Sequence, residues 1–250
     1  MAVIDLAFAI KHLPDVLKGV PATLAITIIA MICGLFSGLL ISFIRIFKLP
    51  VLNQGAVLFI SFIRGTPLIV QLYMFYYGLP VLFDYLNGRF GLQFNADNIH
   101  PLYIAFIAYT INTSAYQAEI MRGAIQSVDR GQMEAALSIG MTVPQALRRI
   151  IMPQAFRTAL PDLGNTFIHL IKATSLAFAV KVMEILAISR TIANDGYRFL
   201  EMYLVAALLY WLLSWIFEIV FTKLEQKVSR YEKAQQSPVK RFYSVRQLKT

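Results

Sequence analysis

The sequence predicts an all-α integral membrane protein with five spans, its N-terminus outside and its C-terminus in the cytoplasm. Composition is the first reason. The 250 residues are 58% hydrophobic and only 15% charged, whereas a soluble domain carries about a quarter charged residues. The second is the run from Gly19 to Ile44, which holds no charged residue or histidine and exceeds the roughly 20 residues needed to cross a bilayer. The third is the clustering of Lys and Arg in alternate loops, which sets sidedness.

In chain order, residues 1–18 are too short and polar to span and read as an interfacial helix. The first span, near 19–45, is too long for a secretory apolar core and no small-residue cleavage site follows it, so it is retained. Within it Gly34 and Gly38 form a small-xxx-small pair that permits close helix approach. Cys33, the single cysteine, reads as a small packing residue and excludes an intramolecular disulfide. The second segment, near 52–83, is interrupted by Arg64-Gly65-Thr66-Pro67. Pro67 removes a backbone donor and disfavours the α region at Thr66, so a broken helix is expected. The third span lies near 101–124. The fourth, near 155–186, carries Lys172 and Lys181 and likewise reads as kinked or broken. The fifth lies near 200–222, where Tyr203, Tyr210, Trp211 and Trp215 are interfacial anchors or lipid-facing bulk. Residues 19–228 thus form one transmembrane domain with a loop at 130–153. The basic tail 229–250 lacks apolar periodicity and reads as mobile.

Arg45 and Lys48 follow the first span; Arg122, Arg130, Arg148 and Arg149 surround the 130–153 loop. Lys223, Lys227, Arg230, Lys233, Lys240, Arg241, Arg246 and Lys249 follow the last span. These regions share one side, and their excess of Lys and Arg places it in the cytoplasm. The 84–100 loop sets Arg89 against Asp84 and Asp97 and belongs outside. The net charge of +9 is therefore a topology signal that also favours anionic lipid, and it does not point to nucleic acid.

No Gly is followed by Lys, so the phosphate-loop pattern is missing. His12, His100 and His169 lack metal-ligand spacing, and there is no Gly-x-Ser-x-Gly elbow. The chain reads as neither an enzyme nor a metalloprotein, with no cofactor of its own. Two intramembrane polar stripes need explaining: Tyr109, Asn112, Tyr116 and Glu119 on the third span, and Asp162, Asn165, His169 and Lys172 on the fourth. Each falls at i, i+3, i+7 and i+10, one helix face. A charge at mid-bilayer costs at least ~2.5–3.5 kcal/mol, so such faces look onto protein or water.

Helix–helix hydrogen bonding is the plain alternative for Asn112, Asn165 and His169, and Glu119 has Arg122 within pairing reach. Lys172, about 24 Å up its helix, and Gly65, about 21 Å up its own, lie at similar depth. A half-helix beginning after Gly65-Thr66 aims free N–H groups and a positive dipole end at a cavity, which suits a substrate carboxylate. The expected pocket therefore comprises Gly65, Thr66, Asn165, His169, Lys172 and Thr174. A purely structural kink is the alternative for Gly-Thr-Pro. Arg64 is expected to anchor the break through carbonyls or a carboxylate.

Glu134, Ala135, Ala136 and Leu137 favour helix, Gly140 ends it, and Pro144 stands where a second helix can begin. The spacing, with Gly140 four residues after Ala136 and then Ile150-Ile151-Met152-Pro153, resembles the Glu-Ala-Ala (EAA) loop of the membrane subunits of bacterial ABC importers. Met152 stands where that family usually has Leu, a volume-conserving exchange. Lys18-Gly19, Ala22-Thr23-Leu24, Phe62 to Leu68, Gln71-Leu72, Glu119 to Ile125 and Leu160 to Leu176 resemble the polar amino-acid importer permeases over nearly the whole chain. Ala173 departs from the Asp often found there.

The resemblance implies the type I ABC importer permease fold in a bacterial plasma (inner) membrane. It also implies a second permease copy or paralogue, ATPase subunits that carry ATP and Mg, an extracytoplasmic solute-binding protein and an amino-acid substrate. Coupling to the ATPase would fall on Glu134, Ala135, Ala136, Gly140 and Pro153. Tyr77-Gly78-Leu79-Pro80 and Met202 to Ala207 look most like cystine permeases; glutamine, arginine/histidine and glutamate importers are the alternatives. A secondary transporter is the competing class, and it would show inverted internal symmetry, which five unequal spans with one cytoplasmic loop argue against.

Overall fold

The computed structural model describes residues 5–91 and 99–247, with side chains as far as Val228. Among these residues every regular element is helical: α1 (Leu6–Leu17), α2 (Val20–Ile46), α3 (Leu52–Gly65), α4 (Leu68–Phe90), α5 (Pro101–Ser127), α6 (Arg130–Ser138), α7 (Val143–Ala146), α8 (Met152–Ala173), α9 (Ile185–Gly196) and α10 (Phe199–Gln247). A π-helical turn, Leu147–Ile151, joins α7 to α8, and a 3-10 stretch, Thr174–Val180, extends α8. Two compact units divide the chain, one within 1–122 and 166–214, the other within 123–165 and 215–250. Asp97, expected in an outside loop, lies beyond the described residues.

Three helical runs among the described residues are long and apolar enough to cross a membrane: Val20–Ile46, Val143–Val180 and Phe199–Val228. A fourth is added if α3 and α4, bent by 108° at their break, count as one span. The interruption expected at Gly65–Pro67 is thus present. The expected third span, α5, fails on apolarity rather than length, since its 27 residues reach about 40 Å. Its Ala105, Ala108, Tyr109, Ala115, Ala118 and Met121 are fully buried. The packed part of the helix is shielded from lipid and can carry Thr113, Ser114 and Gln117 inward, all buried here, while Tyr103, Ile107 and Tyr116 are exposed.

The packing of α2 on α5 inverts the soluble pattern. Small residues face inward, with Thr23, Thr27, Ala30, Gly34, Gly38 and Ser42 buried, while Ile28, Ile32, Phe36 and Leu40 are exposed. Lipid is as apolar as a core, so close backbone approach, rather than bulk, drives such contacts. A Cβ on Gly38 would stand 2.9 Å from Ser114 O and Ala118 N, and one on Gly34 3.0 Å from the Thr113 side chain. Cys33 is exposed, which corrects its reading as a packing residue: it sits one position off the small-residue face.

Helix α1 packs Ala9 and Val16 into a cluster with Ile185, Ala193, Met202 and Val205. It leaves Leu6, Ile10, Leu13 and Leu17 exposed. On its polar side the Lys18 ammonium, 2.7 Å from Asp15, holds that carboxyl below its usual range.

The fourth expected segment does break. After the 3-10 stretch Lys181 turns with φ +63, and Glu184 caps α9 by accepting from the N–H groups of Leu186 and Ala187. Glu184 is fully buried and also accepts from Tyr210 Oη. Tyr210 is therefore a structural partner rather than lipid-facing bulk, unlike the exposed Trp211 and Trp215. Gly19 makes this corner possible, because a Cβ there would lie 2.5 Å from Ile185 N.

The last helix runs on to Gln247, where a segment without regular structure was expected. Glu, Lys, Gln and Ala between 225 and 240 keep helix propensity high even without an apolar face.

Candidate functional site

The break between α3 and α4 is built from its own orphaned groups. Thr66 is extended, with φ −116 and ψ 144, as the residue before proline must be. Its hydroxyl donates to Phe62 O. The buried Gln71 amide, one turn into α4, donates to Ile63 O at 2.8 Å, Thr66 O at 3.2 Å and Thr66 Oγ1 at 2.8 Å. Asn112 of α5 then donates to Gln71 Oε1 at 3.0 Å. Carbonyls that lose their helical partners at a broken helix are thus re-satisfied by the Gln71 amide and the Thr66 hydroxyl, with Asn112 holding Gln71 in place, as a membrane interior demands. Gln71 is the element that residue-type reasoning missed; its signal was a glutamine four residues after a proline inside an apolar run.

The α5 stripe is absorbed into this bundle. Tyr109 is fully buried and donates to Ala173 O at 2.7 Å, while Asn112 holds Gln71. Glu119 accepts from Arg45 at 2.8 Å on Oε1 and from Arg122 at 2.7 Å on Oε2, which ties α2 to α5. The Arg64 guanidinium lies over the Tyr116 ring, 5.4 Å from its centre. Arg64 therefore rests on an aromatic face rather than on the carbonyls of the break.

The α8 stripe has the opposite environment. Asp162, Asn165, His169 and Lys172 are all exposed, while Leu163, Phe167, Leu170 and Ile171 on the other side of the same helix are buried. Of the expected pocket residues, Asn165, His169 and Lys172 thus share one exposed face, and Gly65 and Thr66 sit at the open helix break, where a Cβ on Gly65 would meet nothing within 4 Å. Thr174 does not join them. It is fully buried and its hydroxyl donates to Ile171 O at 2.7 Å, because it follows Leu170 by four residues and Phe167 by seven and so falls on the buried face of the helix.

In the second unit the 130–153 segment forms a helical hairpin. Asp129 caps α6 by accepting from Gly131 N. At the other end Gly140 N–H donates to Leu137 O at 3.0 Å and Met141 N–H to Ala136 O at 3.1 Å, the paired bonds of a Schellman cap. Gly140 has φ +84, a conformation that costs any residue with a Cβ. Thr142 and Gln145 then form a capping box at α7. Ala136 and Ala146 are buried, whereas Glu134, Ala135 and Pro153 are exposed, and Leu137, Ile139 and Val143 present apolar surface to solvent.

A helix that buries polar side chains, a broken span, an exposed polar membrane face and an apolar-tipped hairpin together define a membrane transport subunit. Residues 30–230 match the family of binding-protein-dependent transport system inner membrane components. The chain belongs to that family. It is 44% identical over 230 residues to the probable amino-acid permease protein YxeN of Bacillus subtilis, covering 92% of this chain and 98% of the relative. It is 37% identical to the L-cystine transport system permease protein TcyL of the same organism, covering 87% and 88%. A crystal structure of an amino acid ABC transporter with histidines shares 33% identity and a TM-score of 0.76, over 90% of this chain and 99% of that one. The protein is thus an amino-acid ABC permease subunit embedded in the inner membrane, and ATP hydrolysis belongs to a separate subunit of such transporters.

Proposed function

We propose that this permease carries a polar amino acid, with L-cystine as the substrate, by exposing the α8 face alternately to the two sides of the membrane. One observation carries the reading: Asp162, Asn165, His169 and Lys172 are exposed along the longest helical run able to cross the bilayer. Such a face cannot rest against acyl chains without a penalty of a few kcal/mol per charge, so it faces water, substrate or a second permease subunit. The substrate carboxylate lies near Gly65, Thr66 and Lys172, with Asn165 and His169 beside it; Thr174 supports the end of α8 from the core.

The 37% identity to a cystine permease supports cystine, as do Tyr77 to Pro80 and Met202 to Ala207. Another polar amino acid, such as glutamine, arginine, histidine or glutamate, is the second reading, supported by the solved relative with histidines. Five spans run from an outside N-terminus to a cytoplasmic C-terminus, α5 being the third. The hairpin, through Glu134, Ala135, Ala136, Gly140 and Pro153, docks an ATPase that carries ATP and Mg, and the chain binds no cofactor itself. A second permease copy or paralogue and an extracytoplasmic solute-binding protein complete the assembly.

Uptake of labelled cystine, glutamine, arginine, histidine and glutamate by the reconstituted complex tests the substrate. Cystine is expected to be taken up best and to compete with the others; uptake of another amino acid with no inhibition by cystine contradicts it. Gly140→Val is expected to abolish uptake while the chain still inserts, because the left-handed cap is lost. Normal uptake by that variant removes the docking role.

A further inference from the structure

We propose that Arg64 is the cation that receives the α-carboxylate of the transported amino acid, with the Tyr116 ring as its platform. The inference rests on the transport reading above and assigns the recognition of the carboxylate within it.

Three arginines gather around a single carboxylate in the first unit. Both Glu119 oxygens are already taken, one by Arg45 and one by Arg122. Arg64 reaches Glu119 only through space and forms no ion pair among the described residues. It has no direct counter-ion, and such a guanidinium within a membrane-spanning chain has to face water or an anion.

The surroundings of Arg64 supply the other requirements of an anion site. Its guanidinium lies over the Tyr116 ring, a contact that limits the rotamer freedom lost on binding. The residue next to it is Gly65, exposed, with open space where a side chain would project. Beyond Pro67, whose side chain forms no hydrogen-bonded cap, α4 begins, so its first N–H groups and positive dipole end face the same break. A free carboxylate seated there accepts a two-pronged hydrogen bond from the guanidinium. A lysine, being a point charge, reproduces only part of that. Lys172, on another helix, is then a second cation rather than the primary anchor.

The test is equilibrium binding to the purified permease–ATPase complex without the solute-binding protein. Radiolabelled L-cystine, L-glutamine and L-histidine are the probes, each with its α-amide as competitor. Arg64→Gln is expected to weaken binding of the free acid by about tenfold or more, the loss of a charge-assisted hydrogen bond, and to bring acid and amide affinities together. Arg64→Lys is expected to fall between, and Tyr116→Leu to weaken binding by about two- to fivefold. Unchanged affinity in Arg64→Gln, or an unchanged acid-to-amide ratio in both arginine variants, overturns the proposal. If Lys172→Met alone removes discrimination, the carboxylate belongs to Lys172, and the transport reading stands without this assignment. Failure of the wild-type complex to bind any of the probes overturns both.

Discussion

Two stripes of polar residues, one on α5 and one on α8, share the same spacing and have opposite fates. On α5, Tyr109, Asn112 and Glu119 each bind a neighbouring helix, through Ala173 O, Gln71 and Arg45 respectively. On α8, Asp162, Asn165, His169 and Lys172 stand exposed. The i, i+3, i+7, i+10 pattern says that a polar face exists; what covers it depends on the helices around it. Helix α5 lies behind α2 and beside α4, so its polar atoms become glue. Helix α8 turns its apolar side to the bundle and leaves its polar side exposed.

The comparison is sharpest where charge is involved. Glu119→Ala is expected to produce the largest loss of stability, about 2–4 kcal/mol, because it takes the shared carboxylate from two partly buried guanidiniums, Arg45 and Arg122. Thermal unfolding in detergent checks this, and an unchanged transition would mean that the Arg45–Glu119–Arg122 cluster is not structural. Asn112→Ala is expected to cost less, about 1–2 kcal/mol, through the unpaired Gln71 oxygen it leaves at the break. The same unfolding measurement applies, with Gln71→Ala as the coupled partner; the two losses should fall short of adding. On the α8 side, His169→Ala is expected to shift stability by no more than about 0.5 kcal/mol, as exposed positions do, while lowering uptake. A stability loss as large as that of Asn112→Ala would put His169 among the glue residues.

Much of this arrangement was legible in the residues. The break at Gly65–Pro67 followed from a proline and its restriction of Thr66, and the helix end at Gly140 from a glycine after a helix-forming run. The Gly34 and Gly38 contact followed from small residues four apart. These are local rules, acting within one or two turns. What stayed hidden was set at a distance. Gln71 and Glu184 are a single polar residue each, and their roles depend on carbonyls and hydroxyls brought near by other helices. Thr174 is a different case, since a local rule places it: it follows Leu170 by four residues and Phe167 by seven, so helical periodicity sets it on the buried face, roughly opposite the exposed Lys172.

The central claim is that the exposed α8 face lines a pathway opened alternately to either side. It is tested most directly by a single cysteine at Asn165, introduced after Cys33→Ala removes the exposed native thiol. Labelling by a membrane-impermeant maleimide, added to one side at a time, is followed in the assembled transporter with ADP, with ATP, and with ADP and vanadate. The account predicts that the labelling rate from the two sides changes in opposite directions between the nucleotide states, by about tenfold or more if the population shift exceeds about 1.4 kcal/mol. A rate that is the same from each side in every nucleotide state would contradict it.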